Sequence, residues 1–255
     1  MTSTPASLQL TFQGGVAVVT GAGSGIGAAT AALLTAAGLR VLRLDRAFAD
    51  ENAETSGRTE VAADVTDRGA VREGLARALG EDTLSYVVNC AGVLPANGFA
   101  DVPDSAWRHA LDVNLIGAYH VMDAAGAHLA ATPGAAVVNV TSLEADRVVA
   151  LSYPDPNPQY AASKAALRML TKSAARALAA SGIRVNSVSP GFVRTPMAAQ
   201  HGAGTSLPPA LADRVPLGRF AEVGEVAHAI AFLLSDQASY ITGSDLRIDG
   251  GFELT

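Results

Sequence analysis

Seven short, mostly apolar runs recur along the chain: Val16–Thr20, Leu39–Asp45, Glu60–Ala62, Tyr86–Cys90, Ala135–Thr141, Ile183–Ser189 and Asp245–Asp249. Most are continuous rather than alternating, the pattern of strands buried on both faces. Between them lie longer stretches of helical character, at about Gly25–Ala37, Asp67–Leu79, Asp104–Ala130, Pro158–Ala180 and Glu222–Leu234. Strand and helix alternate from end to end. That order predicts an α/β fold: one domain over residues 1–255, doubly wound, with a seven-stranded parallel sheet and helices on both faces. Asn157-Pro158 reads as an N-cap and first helical residue, and Gly182 as the residue that ends the same helix. Two stretches carry no clear period. Leu151–Gln159 holds Pro154, Pro156 and Pro158, and the stretch from about 195 to 215 holds Gly202, Gly204, Pro208 and Pro209. Long loops in compact domains are more often functional than accidental, so the second is a candidate substrate loop.

Composition narrows the class. The 255 residues are 49% hydrophobic and 16% charged, enough for a sizeable core, and the net charge is −6 without a Lys/Arg cluster. Nucleic acid and anionic membranes are therefore disfavoured as partners. No apolar run reaches the ~18 residues of a membrane span, and Met1–Thr11 does not resemble a secretory signal. Cys90 is the single cysteine, which excludes an internal disulfide and fits a reducing, cytoplasmic location. The five histidines are scattered, so no metal site is expected.

The first strand runs into Thr20-Gly21-Ala22-Gly23-Ser24-Gly25-Ile26-Gly27, and a helix follows. Glycines there permit a tight turn and a close approach of backbone to a pyrophosphate, while the helix N-terminus offers free N–H groups. A turn needed only for packing is the plainer alternative. Asp45, at the end of the second strand, is placed to accept hydrogen bonds from both hydroxyls of an adenosine ribose and to repel a 2′-phosphate. It argues for NAD over NADP. Arg46 follows at once and could meet a 2′-phosphate, but Ser24 stands inside the turn where a basic residue would help.

Tyr160 and Lys164 lie four residues apart in a predicted helix, hence on one face and one turn apart. A free phenol ionises near pH ~10. A cation at ~4 Å, at an effective dielectric of ~20, favours its phenolate by roughly 4 kcal/mol before desolvation. The expectation is that Lys164 lowers the pKa of Tyr160 towards a range useful for proton transfer.

With these residues together, the chain resembles the short-chain dehydrogenase/reductase family, in its single-domain subgroup, from about Gly14 to Phe252. Thr20–Gly27 is similar to the family's cofactor turn, and Asp64-Val65 to the pair that meets the adenine. Asn89-Cys90-Ala91-Gly92 is similar to an Asn-Asn-Ala-Gly segment, with Cys90 as the departure; a small thiol suits a core position. Asn114, Ser142, Tyr160 and Lys164 match the catalytic group. Pro190-Gly191, Val193 and Thr195 match the segment that holds the nicotinamide carboxamide, while Ile241-Thr242-Gly243 and Asp249-Gly250-Gly251 match the C-terminal signature. A Rossmann-like fold, a homotetramer (or a dimer) and a nicotinamide cofactor are what the resemblance implies. Gly21, Ser24, Gly25, Ile26 and Gly27 would take the phosphates, and Asp45 and Arg46 the ribose. Asp64 and Val65 would take the adenine. Asn89, Ala91, Gly92, Tyr160, Lys164 and the residues after the sixth strand would take the remainder.

The roles implied are Tyr160 as acid/base, Lys164 as its electrostatic partner and ribose ligand, Ser142 as donor to the developing alkoxide, and Asn114 as holder of a relay water. Seventeen residues separate Ser142 from Tyr160, more than is usual in the family, and the surplus falls in the proline-bearing stretch. Substrate identity therefore does not carry over. Candidate substrate residues are Ser142, Glu144, Tyr153, Phe192 and His201, with Leu94, Pro95 and Leu143 nearby. The leading reading is an NAD-dependent oxidoreductase of a secondary alcohol, such as a polyol, sugar, steroid or other hydroxy compound, or its ketone. The alternatives are an NADPH-dependent carbonyl or 3-oxoacyl reductase and, more distantly, a catalytically silent NAD-binding sensor or scaffold.

Overall fold

The protein is represented by a computed structural model, which describes residues 9–48, 58–95, 98–149, 157–200, 204 and 206–255. Seven strands, β1 (Val16–Thr20), β2 (Arg40–Asp45), β3 (Arg58–Ala62), β4 (Tyr86–Asn89), β5 (Ala136–Val140), β6 (Arg184–Pro190) and β7 (Asp245–Ile248), form one sheet. Its order is β3-β2-β1-β4-β5-β6-β7, and every pairing is parallel. Eight α-helices occur among the described residues: α1 (Gly25–Ala36), α2 (Arg68–Leu79), α3 (Asp104–Leu111), α4 (Ala118–Ala130), α5 (Pro158–Leu178), α6 (Pro196–Gln200), α7 (Pro209–Ala212) and α8 (Val223–Leu234).

The continuous apolar runs are explained by two cores. In β1, Val16 and Val18 face a core shared with α2, α4 and α5, through Val71, Leu75, Val121, Leu129 and Ala175. Ala17 and Val19 face the other side, where α1 and α8 contribute Ala31, Leu34, Val226 and Ile230. Both parities are buried, so no polar alternation survives. The strand order reverses between β1 and β4. Connections leave in opposite directions there, and the carboxyl ends of the strands open into a crevice.

Local chemistry sets the ends of the elements. Asp67 caps α2 by accepting the Ala70 N–H at 2.9 Å. Glu222 and Glu225 form a capping box on α8. The buried Arg184 guanidinium donates to the carbonyls of Leu233, Leu234 and Ser235 at the other end of α8, where cations complement the dipole.

Two expectations are refined. The predicted helix over Asp104–Ala130 is interrupted: Asp112–Gly117 is π-helical between α3 and α4. A wider turn re-aims the residues it holds, and π segments concentrate at functional sites; this one carries Asn114. Within the 195–215 stretch, α6 and α7 are helical, each with a proline in its first turn, where the missing N–H costs nothing. Leu207, Leu211 and Val215 from that stretch pack with Leu143, Phe220 and Phe252 into a third apolar cluster.

Candidate active site

A cavity of about 1040 Å³ opens at the carboxyl ends of β1, β2, β4, β5 and β6. At one end the glycine turn leads into α1. A Cβ on Gly27 would lie 2.1 Å from the Gly21 carbonyl oxygen, and one on Gly21 2.8 Å from the Ala91 nitrogen. The backbone therefore closes more tightly here than any side chain allows. Ser24, the N-cap of α1, makes no side-chain cap bond, and the first turn holds no acidic residue. The N–H groups of that terminus are left for an anion. The Asp45 carboxylate accepts from the Gly23 N–H at 2.8 Å and the Arg46 N–H at 2.7 Å, which fixes it at the lip of the cavity.

Gly21, Ser24, Gly25, Ile26, Gly27, Asp45, Arg46, Asp64, Val65, Ala91, Gly92, Pro190, Gly191, Val193 and Thr195 all line the cavity. Asp64 accepts from the Thr66 N–H and hydroxyl. Burial alone would raise its carboxyl, but these bonds, with Arg46 and His109, hold it below the usual carboxylate range.

Asn89 is the exception among the expected cofactor residues. It is turned into the core, where its amide donates to Asn139 Oδ1 at 2.9 Å and to the Ala118 carbonyl at 3.3 Å. Asn139 in turn donates to Thr171 Oγ1 at 2.9 Å. Polar side chains thereby tie β4, β5 and α5 together inside an apolar interior. Paired valines before each asparagine make both read as ordinary strand positions, which hides that partnership in the sequence.

The catalytic candidates meet at the end of β5. Ser142 lies two residues beyond that strand, its Oγ accepts from the Glu144 N–H at 3.2 Å, and it hydrogen-bonds the Tyr160 hydroxyl. Lys164 is buried and donates to the Val140 carbonyl at 2.8 Å. Its Nζ lies 5.9 Å from the centroid of the Tyr160 ring. Asn114 stands behind them. Its Oδ1 accepts from the Val93 N–H, and its Nδ2 donates to the Val93 carbonyl and to Ser163 Oγ. Its amide is thus spent on holding the loop after β4 against α5.

The electrostatics correct one expectation. In this geometry Lys164 does not pull Tyr160 down. Burial raises the Tyr160 phenol above its ordinary range, and the nearby Glu144 and Cys90 push the same way against the Ser142 bond. Burial lowers Lys164 to about 8, with Cys90 opposing. The reason is distance and desolvation: the ammonium is engaged by a neutral carbonyl rather than by the phenol oxygen. Burial pushes the Cys90 thiol up to about 12, so it holds its proton near neutrality.

Of the substrate candidates, Ser142, Glu144 and Phe192 line the cavity. Phe192 stacks edge-on against Phe252, ring centroids 5.3 Å apart. Tyr153 and His201 lie outside the described residues. One supporting group was not anticipated. Asp245 on β7 accepts from Ser187 and Ser189, lies 3.3 Å from Thr141 Oγ1 and pairs with Arg168, one turn beyond Lys164 on α5. Ser187 and Ser189, both buried on β6, were the available signal that an acceptor stood beside that strand.

Comparison with known proteins identifies the family. A family model described as enoyl-(acyl carrier protein) reductase matches residues 21–253. The cis-4-hydroxycyclohexanecarboxylate dehydrogenase of Sinomonas cyclohexanicum is 40% identical over 93% of this chain and 96% of its own. The galactitol 2-dehydrogenase (L-tagatose-forming) of Cereibacter sphaeroides is 36% identical over 94% and 96%. The ligand-free Thermoplasma acidophilum aldohexose dehydrogenase superposes with a TM-score of 0.84 at 29% identity, over 95% of both chains. The chain belongs to the short-chain dehydrogenase/reductase family, oxidoreductases of CH–OH groups that use a nicotinamide cofactor.

The buried lysine makes stability depend on pH. An ordinary lysine titrates at 10.5, and Lys164 at about 8. Between those values the unfolded chain holds a proton that the fold has released, so the Lys164 contribution to stability rises with pH across that window. Below pH 8 both states carry the charge, and the fold bears its full burial cost. Relative to Lys164→Met, wild-type stability in denaturant melts should gain at most ~1.4 kcal/mol per pH unit from pH 8 upward. A difference between the two proteins that stays flat from pH 7 to pH 10 would contradict this.

Proposed function

We propose that the protein is an NAD-dependent dehydrogenase that converts a secondary alcohol of a polyol, sugar or related hydroxy compound to its ketone, and the reverse. The observation that carries this reading is the meeting of Ser142, Tyr160 and Lys164 at the floor of a cavity whose other end is the glycine turn and Asp45. The residues fit a dinucleotide. The N-terminus of α1 suits its pyrophosphate, the Asp45 carboxylate its adenosine ribose, and Asp64-Val65 its adenine. The Pro190–Thr195 segment suits its carboxamide. When bound, the cofactor accepts or gives the hydride.

The chain supplies position and proton transfer. Ser142 donates to the alkoxide or carbonyl oxygen of the substrate and holds it beside Tyr160. The Tyr160 hydroxyl receives or delivers the proton. Lys164, anchored on the Val140 carbonyl, lies beside the Tyr160 ring and would hold a ribose hydroxyl of the cofactor. Burial holds the Tyr160 phenol above its ordinary range in the free protein, and the positive nicotinamide ring, when bound, would favour its ionisation. Asn114 fixes the wall through Val93 and Ser163, a positioning role compatible with a relay water at its backbone.

The preference for NAD rests on Asp45 at the lip of the cavity. An NADPH-dependent reductase is the second reading, supported by the exposed Arg46 beside it. A cytoplasmic location fits the single, protonated thiol. No helix among the described residues is long and apolar enough to cross a membrane. Assembly into a homotetramer is supported by exposed apolar residues on several elements. Ile116, Tyr119 and Met169 lie along the π-segment, α4 and α5, and Tyr240 and Leu246 lie in and before β7.

Tyr160→Phe should lower turnover at least ~10³-fold while NADH binding, read by fluorescence, is kept. In the wild type, KM for NAD should lie well below that for NADP. Near-normal turnover in the variant, or the reverse cofactor order, would contradict the reading. Sedimentation at micromolar concentration should show an assembly larger than a dimer; a stable monomer would exclude it.

A further inference from the structure

The hydrogen bond between Ser142 and Tyr160 joins two separate pieces of the chain. Ser142 lies in the segment that follows β5, and Tyr160 in the first turn of α5. Such bonds weaken over fractions of an ångström, so the segment must be fixed against the helix. Lys164 grips the end of β5 through the Val140 carbonyl, but that tie lies before the segment begins. The bond from Ser142 Oγ to the Glu144 N–H is local.

Arg168 supplies the tie beyond. It follows Lys164 by four residues and Tyr160 by eight, on the same face of α5. Its Nη1 lies 2.9 Å from Asp146 Oδ2, and its Nε 3.3 Å from Asp245 Oδ2. Asp146 ends the short 3-10 turn, Leu143–Ala145, that Ser142 caps. Asp245 accepts from Ser187 and Ser189 on β6 and lies 3.3 Å from Thr141 Oγ1. Thr141 also donates to the Val188 carbonyl at 2.7 Å. One guanidinium therefore reaches both sides of Ser142. It meets Asp146 four residues after the serine and, through Asp245, Thr141 immediately before it.

The surroundings keep this bridge rigid. The Asp245 side chain is 7% exposed and that of Arg168 23%. Burial alone would raise the Asp146 carboxyl, but Arg168 and Arg247 hold it below the usual carboxylate range. A planar guanidinium meets two carboxylates in a fixed geometry that an ammonium does not reproduce. A buried ion pair adds little net stability over apolar residues of the same volume. The position it enforces is the better account of it.

Resting on the oxidoreductase reading above, we infer that Arg168 is a positioning residue for the reaction: by bridging Asp146 and Asp245 it locks the segment carrying Ser142 against α5, and so keeps the Ser142 hydroxyl on that of Tyr160.

The test compares two variants with the wild type. Arg168→Lys keeps the charge and loses the fork. Arg168→Met combined with Asp245→Asn removes both charges, so that neither is left buried alone. Turnover is measured with NAD and galactitol or cis-4-hydroxycyclohexanecarboxylate, per folded molecule counted by NADH-binding stoichiometry. Removing a stabilising donor outright costs ~10²–10³ in kcat, so a displaced one should cost ~10-fold or more in both variants, with NADH affinity kept within ~2-fold. Ultraviolet difference titration under saturating NAD, each enzyme against its own Tyr160→Phe counterpart, reads the phenol without turnover. The Ser142 bond favours the phenolate, so loosening it should raise the Tyr160 midpoint by at least ~0.5 pH units in Arg168→Lys. The groups that face Tyr160 are the same in both proteins: Lys164 on its own helix, Ser142 and Glu144 beyond β5, and Cys90 beyond β4. A kcat per folded molecule within ~2-fold of wild type in both variants, or an unmoved midpoint in Arg168→Lys, overturns the inference. A fall in kcat matched by an equal loss of NADH affinity, the mark of a loosened fold, overturns it too. Each of these leaves the oxidoreductase reading standing. Failure of the wild type to bind either nicotinamide cofactor overturns both.

Discussion

The hydrogen bond from Lys164 Nζ to the Val140 carbonyl is the interaction on which the site depends. Burying an ammonium costs several kcal/mol, and one bond to a neutral carbonyl returns only about 1.5–3 kcal/mol. The lowered pKa of Lys164 records the difference. A charge held at that cost must be held in one place. It is held where β5 ends and α5 crosses, with the Tyr160 ring one turn away and Ser142 just beyond the strand.

Much of the surrounding structure keeps α5 in that place. Asn139 on β5 reaches Thr171 on α5, Asn114 reaches Ser163 from the π-helical segment, and Arg168 reaches Asp146 and, through it and Asp245, the far edge of the sheet. Each contact is polar, and each ties α5 to a different element. The apolar cores could tolerate small shifts of that helix, whereas bonds of this kind are lost over fractions of an ångström.

The fold was largely legible in the sequence, because strands buried on both faces leave uninterrupted apolar runs, and glycines and prolines mark their ends. Spacing alone put Tyr160 and Lys164 on one helix face, while Asn114 and Ser142 were legible only through the resemblance to the family. What was not legible depends on three dimensions. The π-helical turn around Asn114 leaves no mark in a pattern that reads as one helix. Asn89 and Asn139 look alike, yet their amides meet each other and leave the cavity to Ala91 and Gly92. Helical spacing showed that Tyr160 and Lys164 are neighbours but not that burial would raise the phenol instead of the lysine lowering it. Nothing in the sequence pairs Asp245 with Arg168, seventy-seven positions away.

Burial holds Tyr160 as a neutral phenol, and in the proposed reaction a bound nicotinamide would favour its ionisation. Ultraviolet difference titration of wild type against Tyr160→Phe isolates the phenolate absorbance of this one residue. Without NAD, Tyr160 should show no phenolate up to pH ~10, the ordinary phenol value. With saturating NAD, its midpoint should move down by at least ~2 units, the effect of an adjacent positive charge in a buried site. A midpoint near neutrality in the free protein, or one that NAD leaves in place, would contradict the account.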